Sequence, residues 1–357
     1  MSVQAIIKKI FRANPSKVLG VDIGTGSIKL VQIELGSKPV VSGFAVADLP
    51  LELINNGFVN NNEAMTVFIK ELLSKHAFSA QHVVFTVGGR NAFVREIDMP
   101  EMPDEEMKQS VSWDSNQYVP YEADTYYIDS AKFGALTKDS LQPVLLVASP
   151  KDVVDALVAI AEAVGWQMLG IDIEVLAAYR TLPEAFENFV LLDIGRSYSL
   201  LTIFQNGAPV AQRSIPQGGQ MFNAAIANGA GVDLTAAEKI KLEDELLLSG
   251  LETDKTKYAE FFTEIDNLGR EVRRTCEYYM INKKDARFTH LVLVGGGSGM
   301  AGLVGSLGEG LNMKVVVNDL QQTVTFGDKL NQRELKKYAG SLTVAIGAAL
   351  YGGEVDD

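Results

Sequence analysis

Residues 18–24 read Val-Leu-Gly-Val-Asp-Ile-Gly, and residues 190–195 read Val-Leu-Leu-Asp-Ile-Gly. Each is an apolar run with the look of a buried strand, ending in Asp-x-Gly. A second β-rich run follows each one: Ile28-Lys29-Leu30-Val31-Gln32-Ile33 and Leu200-Leu201-Thr202-Ile203-Phe204. Both then reach a turn, Gly36-Ser37-Lys38-Pro39 or Asn206-Gly207-Ala208-Pro209. Two hairpins of one design, far apart in one chain, point to a duplicated domain with a nucleotide between the copies. A Gly-rich hairpin lets backbone N–H groups approach phosphate oxygens. An Asp at the strand end can hold a hydrated Mg²⁺ that neutralises those oxygens.

Outward from the hairpins, each copy gains a third strand, over 40–46 and 210–215, the latter ending at Pro216-Gln217-Gly218-Gly219. A helix is expected over about 61–76, with Met65, Phe68, Ile69, Leu72 and Leu73 on its apolar side. A buried strand over 83–87 stops at Gly88-Gly89. The chain then changes character. A strand over 94–99 stops at Pro100, and Pro103-Asp104-Glu105-Glu106 opens a helix running to about 118. Strands over 126–133 and 144–148 and a helix ended by Gly165 complete a small α+β unit. A strand over 166–173 and a helix starting at Glu174 lead into the second hairpin. Residues 220–284 are helical and charge-rich, and a strand over 291–294 feeds Gly295-Gly296-Gly297-Ser298-Gly299. A helix over 300–310, a last strand over 315–317 and an Ala/Gly-rich helix over 339–351 precede a loose acidic tail.

The 357 residues carry a formal charge of −13, which argues against a general nucleic-acid binder. One cysteine, Cys276, excludes an internal disulfide framework, and His76, His82 and His290 lack metal spacing. No secretory signal or bilayer-length apolar run is present, so a cytoplasmic protein is expected. In residues 1–14, Val3, Ile6, Ile7, Ile10 and Phe11 form one apolar stripe flanked by Lys8, Lys9 and Arg12. This segment reads either as a membrane-surface or partner-docking helix, or as a helix packed on its own domain.

These residues resemble the actin and sugar-kinase ATPase superfamily. Residues 21–29, Val-Asp-Ile-Gly-Thr-Gly-Ser-Ile-Lys, resemble its first phosphate loop, and residues 192–199, Leu-Asp-Ile-Gly-Arg-Ser-Tyr-Ser, the second. Residues 293–300 resemble its adenosine loop, and 171–179 and 344–350 fall where its two connecting helices lie. Ala237-Glu238-Lys239-Ile240-Lys241 looks like the element that reaches the nucleoside in bacterial actin relatives. Residues 95–107 and 113–121 narrow the resemblance to the PilM family of type IV pilus assembly proteins, whose small insertion is shared with the division protein FtsA. FtsA is the weaker match, because it ends in a membrane-targeting amphipathic helix and this chain ends Gly-Gly-Glu-Val-Asp-Asp.

The resemblance implies an α/β, duplicated actin-like (ribonuclease H-like) ATPase fold: two lobes with an inserted α+β subdomain. The expected organisation is an amphipathic segment 1–14, a lobe 1 core 15–92, an insertion 93–165 and a return to lobe 1 over 166–188. A lobe 2 core 189–216, a helical subdomain 217–287, more lobe 2 core 288–338 and a connecting helix with tail 339–357 follow. The implied cofactors are ATP or ADP and Mg²⁺. Asp22 and Asp193 would organise the metal, and Gly24, Thr25, Gly26, Ser27, Lys29 and Gly195 would meet phosphates. Gly218 and Gly219 fit the turn after the third strand, Gly295, Gly296 and Gly297 would meet the nucleoside and α-phosphate, and Glu238 and Lys241 the ribose and adenine. Asp193 and Glu174 are the catalytic candidates, Glu174 to orient water. On the residues alone, Glu174 reads equally as a charge favoured at a helix N-terminus, and Glu238 with Lys241 as a surface ion pair. Arg196 and Tyr198 depart from the second loop's usual small residues; Arg196 grips a phosphate or projects outward.

Implied partners are the N-terminal cytoplasmic peptide of a PilN-like inner-membrane protein and the pilus motor ATPases. The peptide groove is expected at the insertion and its neighbour, with Tyr118, Pro120 and Tyr121 nominated. Membrane association would run through the partner, aided by residues 1–14, and hydrolysis would be slow or absent in isolation. The competing readings are an FtsA-like filament of cell division and a sugar kinase.

Overall fold

The first strand pair explains the rest of lobe 1. In a computed structural model, β1 (Lys17–Ile23) is buried on both faces and pairs antiparallel with β2 (Ser27–Glu34), which pairs with β3 (Val40–Asp48). The structure describes residues 15–55, 57–137, 139–183, 186–243, 257–283, 286–300, 302–311 and 313–351. The helix expected over residues 1–14 and the acidic tail lie outside these residues. A two-residue hairpin, β4 (Ile54–Asn55) and β5 (Phe58–Val59), leads to α1 (Asn62–Ser74). The side chain of Asn61 caps this helix by accepting from the Ala64 N–H at 3.0 Å. Met65, Ile69 and Leu72 of α1 are buried against the sheet, and β6 (His82–Val87) joins β1 in parallel.

The insertion has its own small core. β7 (Phe93–Pro100), α2 (Asp104–Tyr118), β8 (Tyr126–Lys132) and β9 (Leu141–Pro150) form a three-stranded sheet of order β7-β9-β8 with one helix. Ile97, Met99, Met107, Val111 and Leu146 fill it. The next helix, α3 (Lys151–Val164), was expected to end this unit. Instead its Val153, Leu157, Ile160 and Ala161 sit in the lobe 1 core with Met65 and Ile69 of α1. The insertion therefore closes at Pro150, because the apolar face of α3 is covered by lobe 1.

β10 (Gln167–Ile173) completes one side of the lobe 1 sheet and runs into α4 (Glu174–Arg180). Lobe 2 repeats the opening motif: β11 (Phe189–Ile194), β12 (Ser199–Gln205) and β13 (Ala208–Ile215). Helices α5 (Gly219–Ala230), α6 (Leu234–Glu243) and α7 (Ala259–Asn282) follow. Then β14 (His290–Val294), α8 (Leu303–Gly310) and β15 (Lys314–Val317) finish a five-stranded sheet of order β13-β12-β11-β14-β15.

The chain then returns to lobe 1 sooner than expected. β16 (Thr325–Phe326) pairs with β3, and Leu320, Val324 and Leu335 join the lobe 1 cluster. Residues 320–338 thus pack on lobe 1, not lobe 2. The final helix, α9 (Gln332–Tyr351), starts seven residues before the expected 339 and covers β1 and β2. The two crossings between lobes are stitched at buried Thr181: its hydroxyl accepts from Asn318 Nδ2 and its carbonyl from Thr323 Oγ1, both at 2.8 Å. Beside this stitch, Tyr179, Phe189 and Phe204 stack, the last two with ring centroids 4.6 Å apart. Among the described residues no helix is long and apolar enough to cross a membrane.

Helices α4 and α9 pack so closely that a Cβ on Gly347 would collide with the carbonyl oxygen of Ala177. That neighbour is backbone and cannot swing aside. Gly347→Val is expected to destabilise the protein by about 3 kcal/mol in urea unfolding. A change within about 0.5 kcal/mol, as for a surface site, would contradict this packing.

Candidate functional site

Hairpin register decides the chemistry at the base of the cleft. Asp22 lies directly across from Lys29 in the β1–β2 pair, which sets both side chains on one face. They form an ion pair of 2.9 Å with little solvent access. In the second copy the same register sets Asp193 opposite Leu200, so the duplicate carboxylate faces an apolar side chain. The two turns close alike: the Gly24 N–H donates to Ser27 O at 3.0 Å, and the Gly195 N–H to Tyr198 O at 3.1 Å.

Both hairpins open into one cleft of about 710 Å³. It is lined by every residue expected to serve the nucleotide or metal except Gly218: Asp22, the loop 24–27, Lys29, Glu174, Asp193, Gly195, Gly219, Glu238, Lys241 and the loop 295–297. Gly218 instead lies behind the second loop, where a Cβ would press on the backbone of Ser197 and Tyr198. The carbonyls of Gly195 and Arg196 accept from the Gly219 and Gln220 N–H groups at 2.8 and 2.9 Å. The first turn of α5 therefore braces the second loop.

Three carboxylates converge here on one ammonium. Burial pushes Glu174 up to about 8, with the charges of Asp22 and Asp193 adding to the effect and Lys29 opposing it. Burial and then Asp22 lift Asp193 to about 6, again against Lys29. Burial by itself lowers Lys29, but Asp22, Asp193 and Glu174 outweigh it and hold the ammonium above its ordinary value. Lys29, expected to meet phosphate, is thus engaged with Asp22. Among the described residues no three His, Cys, Asp or Glu side chains converge closely enough to hold a metal ion by themselves.

The other wall of the cleft is chemically different. Lys241 is buried and donates to Gly219 O at 3.2 Å, and burial lowers it to about 8, with Glu238 opposing and Arg196 reinforcing the shift. It is no surface ion pair. Asn223, also buried, lines the cleft with an Oδ1 that has no hydrogen-bond partner. Sequence reasoning missed Asn223, and also Lys337 and Ser341 of α9, which line the same cleft. Their signal was weak: a helix start at Asn331, whose side chain accepts from the Arg333 and Glu334 N–H groups at 3.1 and 3.3 Å.

At the inner end, the short 3₁₀ turn Gly89–Asn91 separates the cleft from the insertion. A Cβ on Gly88 would collide with the Glu174 carboxylate, and one on Gly89, which has φ +58°, with the Tyr198 hydroxyl. Tyr198 thus reaches across from lobe 2 to touch lobe 1. Burial and the charges of Glu174, Asp193 and Asp22 raise its hydroxyl far above the ordinary value, so it stays neutral.

The profile of the family described as type IV pilus assembly protein PilM matches residues 20–352. The chain belongs to the PilM family. A chain of the solved PilM-PilN type IV pilus biogenesis complex is 26% identical, with TM-score 0.79, over 94% of this chain and 98% of that one. Ethanolamine utilization protein EutJ from Carboxydothermus hydrogenoformans is 16% identical, with TM-score 0.58, over 97% and 93% of the two chains. MreB 5 of Spiroplasma citri, solved with AMPPNP, is 12% identical, with TM-score 0.53, over 94% and 96%. These two share the actin-like fold. No curated protein matches. The PilM assignment favours pilus assembly over the FtsA-like division reading.

The raised carboxyls make stability depend on pH. Glu174 moves from an ordinary 4.5 to about 8, so its folded form prefers the proton. Its contribution is fully present below about 4.5 and is lost as pH rises through about 8. The unliganded protein should melt at progressively lower temperature from pH 5 to about 8, and Glu174→Gln should flatten that decline. Calorimetry across the range checks it; an equally steep decline in the variant would show that Glu174 is not the group responsible.

Proposed function

We propose that this chain is a nucleotide-binding scaffold of type IV pilus assembly that docks the N-terminal cytoplasmic peptide of a PilN-like inner-membrane protein. In this reading it links that peptide to the pilus motor ATPases at the inner face of the inner membrane. Membrane association runs through the partner protein in this reading, aided by residues 1–14. The similarity to a chain of the PilM-PilN complex supports the reading, and one surface feature carries it furthest. Between lobe 1 and the insertion lies a groove of about 510 Å³, lined by Phe58, Arg90, Tyr121, Thr125, Pro150, Lys151 and Asp152. Two aromatic faces beside two cations suit an extended peptide with apolar anchors and an acidic or carbonyl-rich backbone path. Of the three nominated residues, Tyr121 lines this groove, Tyr118 packs on the insertion core and Pro120 is exposed.

The cleft between the lobes fits ATP or ADP. Its volume suits a ligand of that size, the first hairpin's loop lines it, and the buried Asn223 oxygen there has no polar partner. Mg²⁺ fits through water, since it favours one or two carboxylates together with phosphate oxygens and retained waters. Asp22 and Asp193 would hold that hydrated ion, and it would supply the charge that offsets the phosphates. Glu174 would orient the attacking water, and hydrolysis by the isolated protein is expected to be slow.

Nucleotide and peptide would communicate through the turn Gly89–Asn91. Glu174 and Tyr198 press on it from the cleft, and Arg90 carries it into the groove. Asn91 fastens it on two sides, its side chain donating to Gly57 O at 2.8 Å and its carbonyl accepting from Ser149 Oγ at 2.7 Å.

Two variants separate the sites. Asp193→Ala should weaken Mg-ATP binding about tenfold or more in calorimetric titration while the melting transition stays cooperative. Tyr121→Ala should leave ATP binding unchanged and weaken a synthetic PilN-like N-terminal peptide roughly tenfold. Unaltered nucleotide titration in the first variant, or unaltered peptide binding in the second, would remove the corresponding half of the proposal.

A further inference from the structure

Arg196 is the residue of the second loop that the site described above leaves without a task. It occupies the position that Thr25 holds in the first loop, since Gly24 with Ser27 and Gly195 with Tyr198 close matching turns. Its side chain leaves lobe 2 and crosses the cleft. Nη1 donates to Gly26 O at 3.3 Å and lies 3.5 Å from Asp48 Oδ1, both in lobe 1. The stem lies flat on the first loop: a Cβ on Gly26 would collide with Arg196 Cδ. The residue therefore covers the loop whose amides would cradle a phosphate.

Its present partners are weak. Gly26 O already accepts from the Leu49 N–H at 3.0 Å, so the guanidinium shares that oxygen at a longer distance. Asp48 has 91% of its side chain in water, and Arg196 has 47%. Exposed pairs of this kind contribute little and yield easily to a better partner. A phosphate is a better partner, because its oxygens match the planar guanidinium fork bidentately and carry full charge. Of the other cations lining the cleft, Lys29 is held by Asp22 and Lys241 by Gly219 O, while Lys239 and Lys337 stand on α6 and α9 rather than on a phosphate loop. A phosphate chain entering beside three carboxylates needs a cation with loosely held donors, and Arg196 is placed at its loop.

We propose that Arg196 is the phosphate-reading residue of the cleft: it rests on Gly26 O and Asp48, and it turns onto the phosphate chain of a bound nucleotide. Asp48 is its competitor, holding the guanidinium away from the ligand. The inference rests on the nucleotide reading of the cleft and adds to it a residue that departs from the usual second loop.

The test is calorimetric titration of the full chain with Mg-ATP and, separately, with adenosine. Arg196→Ala should weaken ATP about tenfold or more and change adenosine less than about twofold. Arg196→Lys should recover only part of the loss, because an ammonium lacks the fork. Asp48→Ala should tighten ATP by about twofold or more, and that gain should vanish in the Asp48→Ala/Arg196→Ala double variant. Equal losses for ATP and adenosine in Arg196→Ala, or no loss, would overturn the assignment. So would an Asp48 effect that persists without the arginine. If Asp193→Ala weakens ATP while Arg196→Ala does not, the nucleotide reading stands and this inference falls. Absence of ATP binding by the unaltered protein ends both.

Discussion

Three carboxylates sharing one lysine is the constraint around which both lobes are arranged. Asp22 takes Lys29 directly, at 2.9 Å, because hairpin register leaves those two side chains face to face. Burial and the neighbouring negative charge then move Glu174 and Asp193 toward their protonated forms. Such a cluster holds protons more readily than free carboxyls do. In the nucleotide reading proposed above, a cation arriving with phosphates would be its complement.

The insertion is placed to feel that cleft from two directions. Its edge strand β7 runs beside β13 of lobe 2, and Lys283 of lobe 2 lies 3.5 Å from Glu96 of β7. On its other side, Ser149 and Tyr121 donate to the carbonyls of Asn91 and Arg90 in lobe 1, at 2.7 and 3.4 Å. A module attached to both lobes changes its surroundings whenever they move relative to each other. A peptide held between lobe 1 and the insertion would register such movement if its affinity differs between the two arrangements.

Much of this was written locally. The duplicated hairpins were legible because an apolar strand ending in Asp-x-Gly is a short-range pattern, and α1 because Met65, Ile69 and Leu72 recur at helical spacing. The misses were of another kind. The amphipathic face of α3 showed that it would be buried, yet not that lobe 1 rather than the insertion would bury it. β16 is two residues long and exists only through its pairing with β3, which no local pattern announces. In the cleft, the charged partners on one hairpin were readable, whereas Asn223 and Ser341 enter from separate helices by tertiary convergence alone. The Asp22–Lys29 pair stands between these cases: the register was implicit in the hairpin, but the engagement of the lysine with its own neighbour was not foreseen.

Thr181 gives the architecture a mechanical character. Lobe 2 is joined to lobe 1 by one chain segment entering and one leaving, tied together at this residue by Asn318 and by Thr323. Where both crossings share one anchor, that anchor is the natural centre for a rotation of one lobe on the other. Displacements then grow with distance from the pivot, as along the blades of scissors. A small change of angle at Thr181 would move Arg196 of lobe 2 against Asp48 of lobe 1.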